Sequence, residues 1–245
     1  MKKLISVLLF LFGAIFAFAQ DDIHELEGIK VTAPKFNGPS LLVAHNQLKE
    51  SSLRQYLLSN IQYPEESKMW DKEGIEVVHF TVTPQGKIED IVVINSVSPE
   101  IDREVKRVLE TTNKMWSPGL KNGEFVSMEK EVSIVFCLDG KSKSSKDFLA
   151  LAKPNFDKGN KKFFIAKNNK SALRSYNKAI CCYPNDKSML LARGMCRYEL
   201  GDNEGAYTDW NRIRTLGGIE SDEFLKRFVS FKGYNDVVNL LWAKN

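Results

Sequence analysis

The chain has 245 residues, enough for one large or two small domains with real cores. Hydrophobic residues make up 43% and charged residues 27%, an ordinary globular composition that leaves little room for long disorder. The net charge of +4 is mild and includes Lys2 and Lys3, so it gives no case for a nucleic-acid partner.

Residues 1–20 read as a secretory signal peptide. Lys2-Lys3 supplies a basic start, Leu4 to Phe18 is an uncharged, apolar run with Ser6 its one polar residue, and Ala17-Phe18-Ala19 offers the small-x-small cleavage pattern. The run is shorter than the ~20 residues of a usual spanning helix, which favours cleavage over retention as an inner-membrane anchor, the alternative. The mature chain is then exported to a bacterial periplasm. Four cysteines (Cys137, Cys181, Cys182, Cys196) invite disulfides in that compartment. Yet Cys181 and Cys182 end one predicted helix while Cys196 lies more than two turns into the next. That offset of roughly 10 Å exceeds the reach of a bridge, and buried thiols are the better reading.

Residues 21–45 carry few periodic apolar positions and read as an extended or mobile lead. A helix is predicted from Gln47 to Asn60, with Leu53, Leu57 and Ile61 on one face and Pro64 closing the segment. Strand periodicity follows. Ile75–Val82 sets Val78, Phe80 and Val82 opposite Ile75, Val77, His79 and Thr81, and Ile88–Asn95 is rich in β-branched residues. Thr83-Pro84-Gln85-Gly86 between them is a hairpin connection in which Gly86 takes the positive φ. Ser98-Pro99-Glu100 starts a helix with a hydroxyl cap, proline in the first turn and an acid at the dipole's positive end. Its buried stripe is Ile101, Val105, Val108 and Leu109. A third strand from Phe125 to Leu138 places Val126, Met128, Val132, Ile134, Phe136 and Leu138 on one face, interrupted only by Lys130. The fold class is α+β, with helices packed on a small antiparallel sheet over residues 46–138.

The landmarks from Tyr63 to Phe136 agree in order: Gln62-Tyr63-Pro64, Gly74 and the strand behind it, the Thr83–Lys87 turn, Trp116-Ser117-Pro118-Gly119, Asn122-Gly123 and the alternating third strand. Together they resemble the C-terminal domain of TonB-type energy transducers, the periplasmic module that grips TonB-dependent outer-membrane transporters. The resemblance implies that the third strand lies at a sheet edge and pairs with a short extended segment of the transporter. The partner-binding residues it implies are Met128, Lys130, Val132, Ile134 and Phe136, joined by Tyr63 and Pro64. Lys130 with Glu129 and Glu131 either selects a partner or blocks aggregation along the edge. Pairing of two copies through the same edge is a further alternative.

Residues 139–152 are the expected linker, since Asp139–Ser145 holds no apolar residue. Residues 153–245 then form an all-α helical domain with a period of 34. Phe156, Phe163, Ala172, Tyr176, Ala179 and Pro184 space out a first unit, and Leu190, Gly194, Ala206, Trp210 and Ile213 a second. The pattern resembles tetratricopeptide repeats, with Asn160 where glycine is usual and Arg197 at an aromatic position. Ser221–Phe228 and Tyr234–Trp242 read as closing helices. Repeats of this kind present a groove to a peptide partner.

No catalytic constellation is visible: His24, His45 and His79 are scattered, and phosphate-loop, metal and nucleophile spacings are missing. The chain is read as a non-enzyme without a cofactor. From Lys141 to Ile180 eleven Lys/Arg stand against Asp147 and Asp157, which suits either an anionic partner surface or a solvated helix face. Two functions remain open. One is a TonB-like protein supporting energised transport across the outer membrane. The other is a periplasmic interaction scaffold with no transducing role. A standard transducer has a long proline-rich span; here about 25 residues separate Ala19 from the first helix, roughly 85 Å when fully extended. Pro34 and Pro39 are the only prolines in that segment.

Overall fold

β-branched residues fill two successive stretches of the chain, and each becomes a strand of one antiparallel hairpin. In the computed structural model, which describes residues 23–26, 29–39, 42–43, 47–48, 53–138, 145–219 and 221, this hairpin anchors the first of two compact units. The units comprise residues 1–71 with 76–134, and residues 72–75 with 135–245. The expected signal peptide and closing helices lie outside the described residues.

From the N-terminus come strands β1 (Ile23–Leu26), β2 (Ile29–Thr32), β3 (Lys35–Phe36), β4 (Leu42–Val43) and β5 (Gln47–Leu48), then helices α1 (Leu53–Asn60) and α2 (Glu65–Met69). Next are β6 (Gly74–Val82), β7 (Ile88–Asn95), α3 (Pro99–Glu110), β8 (Trp116–Ser117), β9 (Gly119–Lys121), β10 (Glu124–Val126) and β11 (Met128–Phe136). The main sheet has the order β11-β6-β7, and a second sheet the order β1-β2-β9-β10. The β6–β7 turn closes through Thr83 N–H to Lys87 O at 2.8 Å and Gly86 N–H to Thr83 O at 2.9 Å. Gly86 has φ +70°, and a Cβ there would lie 2.4 Å from the Trp116 carbonyl oxygen, so glycine is required twice over.

Helix α3 behaves as its sequence dictates. The Ser98 hydroxyl accepts from Ile101 N–H at 3.2 Å, and Ile101, Val105, Val108 and Leu109 are fully buried. Leu53 and Leu57 of α1 are buried as well, while Ser67 of α2 meets Ser98 through a buried hydroxyl pair at 2.7 Å. Helix α1 starts at Leu53, later than expected, because Gln47–Leu48 pairs with Leu42–Val43 instead.

The N-terminal lead is not loose in this fold. Val31 and Thr32 pair with Lys121 and Leu120, and Lys35 and Phe36 with Ser117 and Trp116. Phe36 packs edge-on against Trp116, with centroids 5.3 Å apart, and Trp116 packs in turn against Phe80 at 5.4 Å. Burial of one aromatic residue thus fixes a segment that lacks apolar periodicity. The third strand also differs from the expected single run. Asn122 and Gly123 both take positive φ, 52° and 86°, and form a tight turn that folds β10 back on β9 before β11 begins.

From Ser145 the described part of the second unit is built of helices: α4 (Ser145–Asn160), a π-helical turn (Lys161–Ile165), α5 (Asn169–Cys182), α6 (Lys187–Glu199) and α7 (Asn203–Thr215). Helix α4 begins inside the expected linker of 139–152, because Phe148 and Ala152 are buried and draw that stretch into the core. Side chains of Asn168, Asp186 and Asp202 cap α5, α6 and α7 by accepting from Ser171, Met189 and Gly205 N–H. Positions related by 34 residues are buried alike: Ala172 and Ala206, Tyr176 and Trp210, Ala179 and Ile213. A Cβ on Gly194 would fall 2.3 Å from Trp210 Nε1, and one on Gly159 would fall 2.5 Å from the Tyr176 ring. The glycine missing at 160 is therefore present one residue earlier. The π-helical turn that follows absorbs the extra residue, as single-residue insertions into helices do. Buried Asp209 ties α6 to α7, meeting Arg193 Nη2 at 2.6 Å and Arg197 Nη1 at 3.0 Å. This explains a cation at 197, the position where the repeat pattern has an aromatic residue. Cys196 is buried, donates to Asn169 O at 3.2 Å, and is pushed up to about 12 by burial, the behaviour of an inert core thiol.

Candidate protein-binding edge

The main sheet has two outer strands, and they differ. Strand β7 pairs with β6 through Val78↔Val93, His79↔Val92 and Thr81↔Glu89, with a register shift between the last two pairs. Asp90 sits at that shift with φ 52°, so β7 carries a bulge, one of the standard ways of blunting an edge. Strand β11, on the far side of β6, runs for nine residues. Its alternation divides the expected site residues from their neighbours. Val132, Ile134 and Phe136 are buried and hold the strand to the core, while Met128 and Lys130 are half-buried. Met128 lies over Gly119, whose missing side chain leaves room for the thioether.

The side chains turned outward are Glu129, Ser133 and Val135, with Glu131 half-buried between them. Glu131 Oε2 and His79 Nε2 lie 2.5 Å apart, a pairing that fixes the imidazole on the sheet face rather than at a ligand site. The expected residues of this strand are thus brought together: Val132, Ile134 and Phe136 present core surface, and Glu129, Ser133 and Val135 are exposed on the opposite face. The alternation expected from the sequence is present, with Val132, Ile134 and Phe136 on its buried side.

Tyr63 and Pro64 line a different feature, an open concavity of about 500 Å³ bounded also by Gln62, Glu65, Glu100 and Arg103. Its floor is built by ion pairs from α3. Arg107 donates to Glu104 through Nε at 2.8 Å and Nη2 at 2.7 Å, and Glu104 Oε1 accepts from Gln62 N–H at 2.8 Å. The Arg107 contact holds the Glu104 carboxyl below the usual range, and the Glu100 carboxyl is lowered by a backbone N–H of its own helix turn. Gln62-Tyr63-Pro64 is therefore wired to α3.

Sequence reasoning passed over Glu76. It lies on β6 on the face of Val78 and Phe80, fully buried, with Oε2 accepting from Val97 N–H at 2.8 Å. Burial pushes its carboxyl up to about 9, with nearby Asp102 adding to the rise and Lys106 opposing it. The only signal in the sequence was an acid within an apolar run. Among the described residues no group of His, Cys, Asp and Glu is placed to hold a metal.

Against known families, residues 59–138 match the model described as the Gram-negative bacterial TonB protein C-terminal. Over residues 59–138 the chain is similar to that family. The match covers about a third of the chain and leaves helices α4 to α7 outside it. Among solved structures the chain is similar to the NMR solution structure of the Helicobacter pylori TonB C-terminal domain, residues 194–285. That similarity is at 16% identity, over 36% of this chain and 92% of that one, with a TM-score of 0.29, too distant to fix a fold or a partner. No curated protein matches the chain. No helix among the described residues is long and apolar enough to cross a membrane.

Proposed function

We propose that the protein is a periplasmic TonB-like binder that takes an extended segment of a TonB-dependent outer-membrane transporter as an added strand on β11, in support of energised transport. The observation that carries this reading is the contrast between the two sheet edges: β7 is bulged at Asp90, and β11 is a nine-residue strand at the other end of the sheet. Backbone groups of β11 supply the affinity, and Glu129, Glu131, Ser133 and Val135 meet the partner's side chains. Lys130 lies between the two acids and belongs to the selecting set. Binding, without turnover or cofactor, is the whole chemistry of this reading.

Successive N–H groups of a strand point to opposite edges, so of Ile134→Pro and Val135→Pro one removes a bond to β6 and the other an outward donor. The variant that keeps the wild-type urea transition is expected to bind a transporter-derived extended peptide at least about ten-fold more weakly, the worth of one or two strand hydrogen bonds. Undiminished peptide binding by that folded variant would sink edge pairing.

A second reading, a periplasmic scaffold, is favoured by the helical unit. Its short α5–α6 and α6–α7 connections, the burial shared at 34-residue intervals and the close Gly194–Trp210 approach are what tetratricopeptide-type helix pairs require. The mass of the natural N-terminus, with cell fractionation, separates the two. A soluble chain starting near Gln20 or Asp21 favours the scaffold; an intact Lys2-Lys3 segment in the inner membrane favours the transducer.

A further inference from the structure

Helices α4 and α5 with the π-helical turn between them form a hairpin whose tip and second arm carry one charge sign. From Lys158 to Asn185 the chain has six lysines and one arginine and no Asp or Glu. Lys158 and Lys162 lie one turn apart on the first arm, Arg174 and Lys178 one turn apart on the second. All three neighbours are close enough to Lys162 to oppose its charge, so cations of both arms share a face. Lys162 is fixed in that face by donating to Ser171 O and Ser175 Oγ, both at 3.2 Å. Among the described residues none of Lys158, Lys161, Lys162, Lys170, Arg174 and Lys178 forms an ion pair, and the acid that reaches this end of the hairpin, Glu199, acts on Lys167.

The tip adds a second observation of a different kind. The π-helical turn places Phe163 in the core and leaves Ile165 77% exposed, next to Lys161, Lys162 and Lys167 in the chain. This puts an exposed aliphatic side chain in the same stretch of chain as three lysines. An acidic protein would use the charges and not the isoleucine; a bilayer interface of anionic lipids uses both.

We propose that this hairpin docks on an anionic phospholipid surface, with Ile165 entering the headgroup layer and the Lys158–Lys162–Arg174–Lys178 face lying against the phosphates. The inference stands apart from strand pairing by β11 and holds whichever protein partner the first unit takes.

The test is co-sedimentation of the full chain with two kinds of vesicle, pure phosphatidylcholine and phosphatidylcholine containing about one-third phosphatidylglycerol, at near-physiological salt. The readout is the ratio of the two partition coefficients compared between wild type and variants, which share the same contribution from Lys2, Lys3 and the apolar run of residues 4–18. Each surface cation is worth about five-fold, so Lys158→Gln/Arg174→Gln/Lys178→Gln is expected to lower the anionic partition about a hundred-fold. Lys162, which has structural bonds, stays in place. Ile165→Ser, with unchanged charge and unchanged helical circular dichroism, is expected to lower it roughly ten-fold. Equal partition of the wild type onto both vesicles would overturn the proposal. So would full binding by Ile165→Ser, or displacement from vesicles by soluble polyglutamate that is as strong for Ile165→Ser as for the wild type; either result would assign the face to an acidic polypeptide.

Discussion

Replacing Glu76 by glutamine is expected to make the protein more stable at neutral and alkaline pH. In the fold the carboxyl is fully buried and its pKa stands at about 9, raised first by loss of water and then by Asp102, against an ordinary value of 4.5. Between those two values the native protein holds a proton that the unfolded chain has released. Stability from this group is therefore complete below pH 4.5 and falls as pH rises toward 9, by about 1.4 kcal/mol for each pH unit. From pH 6 to pH 8 the wild type should lose about 2.7 kcal/mol through this group. Glu76→Gln keeps a neutral side chain of the same shape and an oxygen for Val97 N–H at the head of α3, and it cannot titrate. Urea unfolding at pH 6 and pH 8 measures both proteins. The expected result is a fall with pH that is smaller in the variant by about 2–3 kcal/mol, with unchanged m-values. Equal falls in the two proteins would show Glu76 to be ionised inside the fold and would refute the reasoning.

Other perturbations probe the helical unit. Gly194→Ala drives a methyl into Trp210 Nε1, 2.3 Å away, and should cost about 1–3 kcal/mol in a urea titration despite the better helix propensity of alanine. Adding Trp210→Phe to it should recover part of that loss, a non-additivity that a double-mutant cycle reads directly. Asp209→Ala removes the buried carboxylate from Arg193 and leaves Arg197 with Asp202 and the Gly205 carbonyl; it should cost about 3 kcal/mol, lowering the thermal midpoint by several degrees, and a loss near zero would mean the ion pairs are replaced by water.

The parts of the fold that sequence reasoning reached are those governed by local rules. Ser98-Pro99 starts α3, its four apolar residues are the four that are buried, and Gly86 takes the positive φ that its turn needs. What it missed depends on partners distant in sequence. Phe36 carries no periodic signal, and the ring it packs against, Trp116, lies eighty residues on. The start of α4 was placed too late because Phe148 and Ala152 reveal their role only once they have a core to enter. At the pairing edge the alternation was legible from Met128 to Phe136, but a period of two names two faces without saying which is inside. Val132, Ile134 and Phe136 proved to be the anchors, and Glu129, Ser133 and Val135 the outward set. Glu76 was hidden because an acid among valines looks the same whether its neighbour is water or the first turn of a helix.

The extra residue in the π-helical turn has a consequence for how ancestry can be traced in this chain. Gly159 and Gly194 are 35 positions apart, whereas Tyr176 and Trp210, against which they pack, are 34 apart. A comparison of the two halves that forbids gaps keeps the aromatic landmark in step and misses the glycine, although the glycine–aromatic contacts of the two segments are the same. Placing a single gap between Lys161 and Ile165, where the helix already accommodates the additional residue, brings both landmarks back into phase.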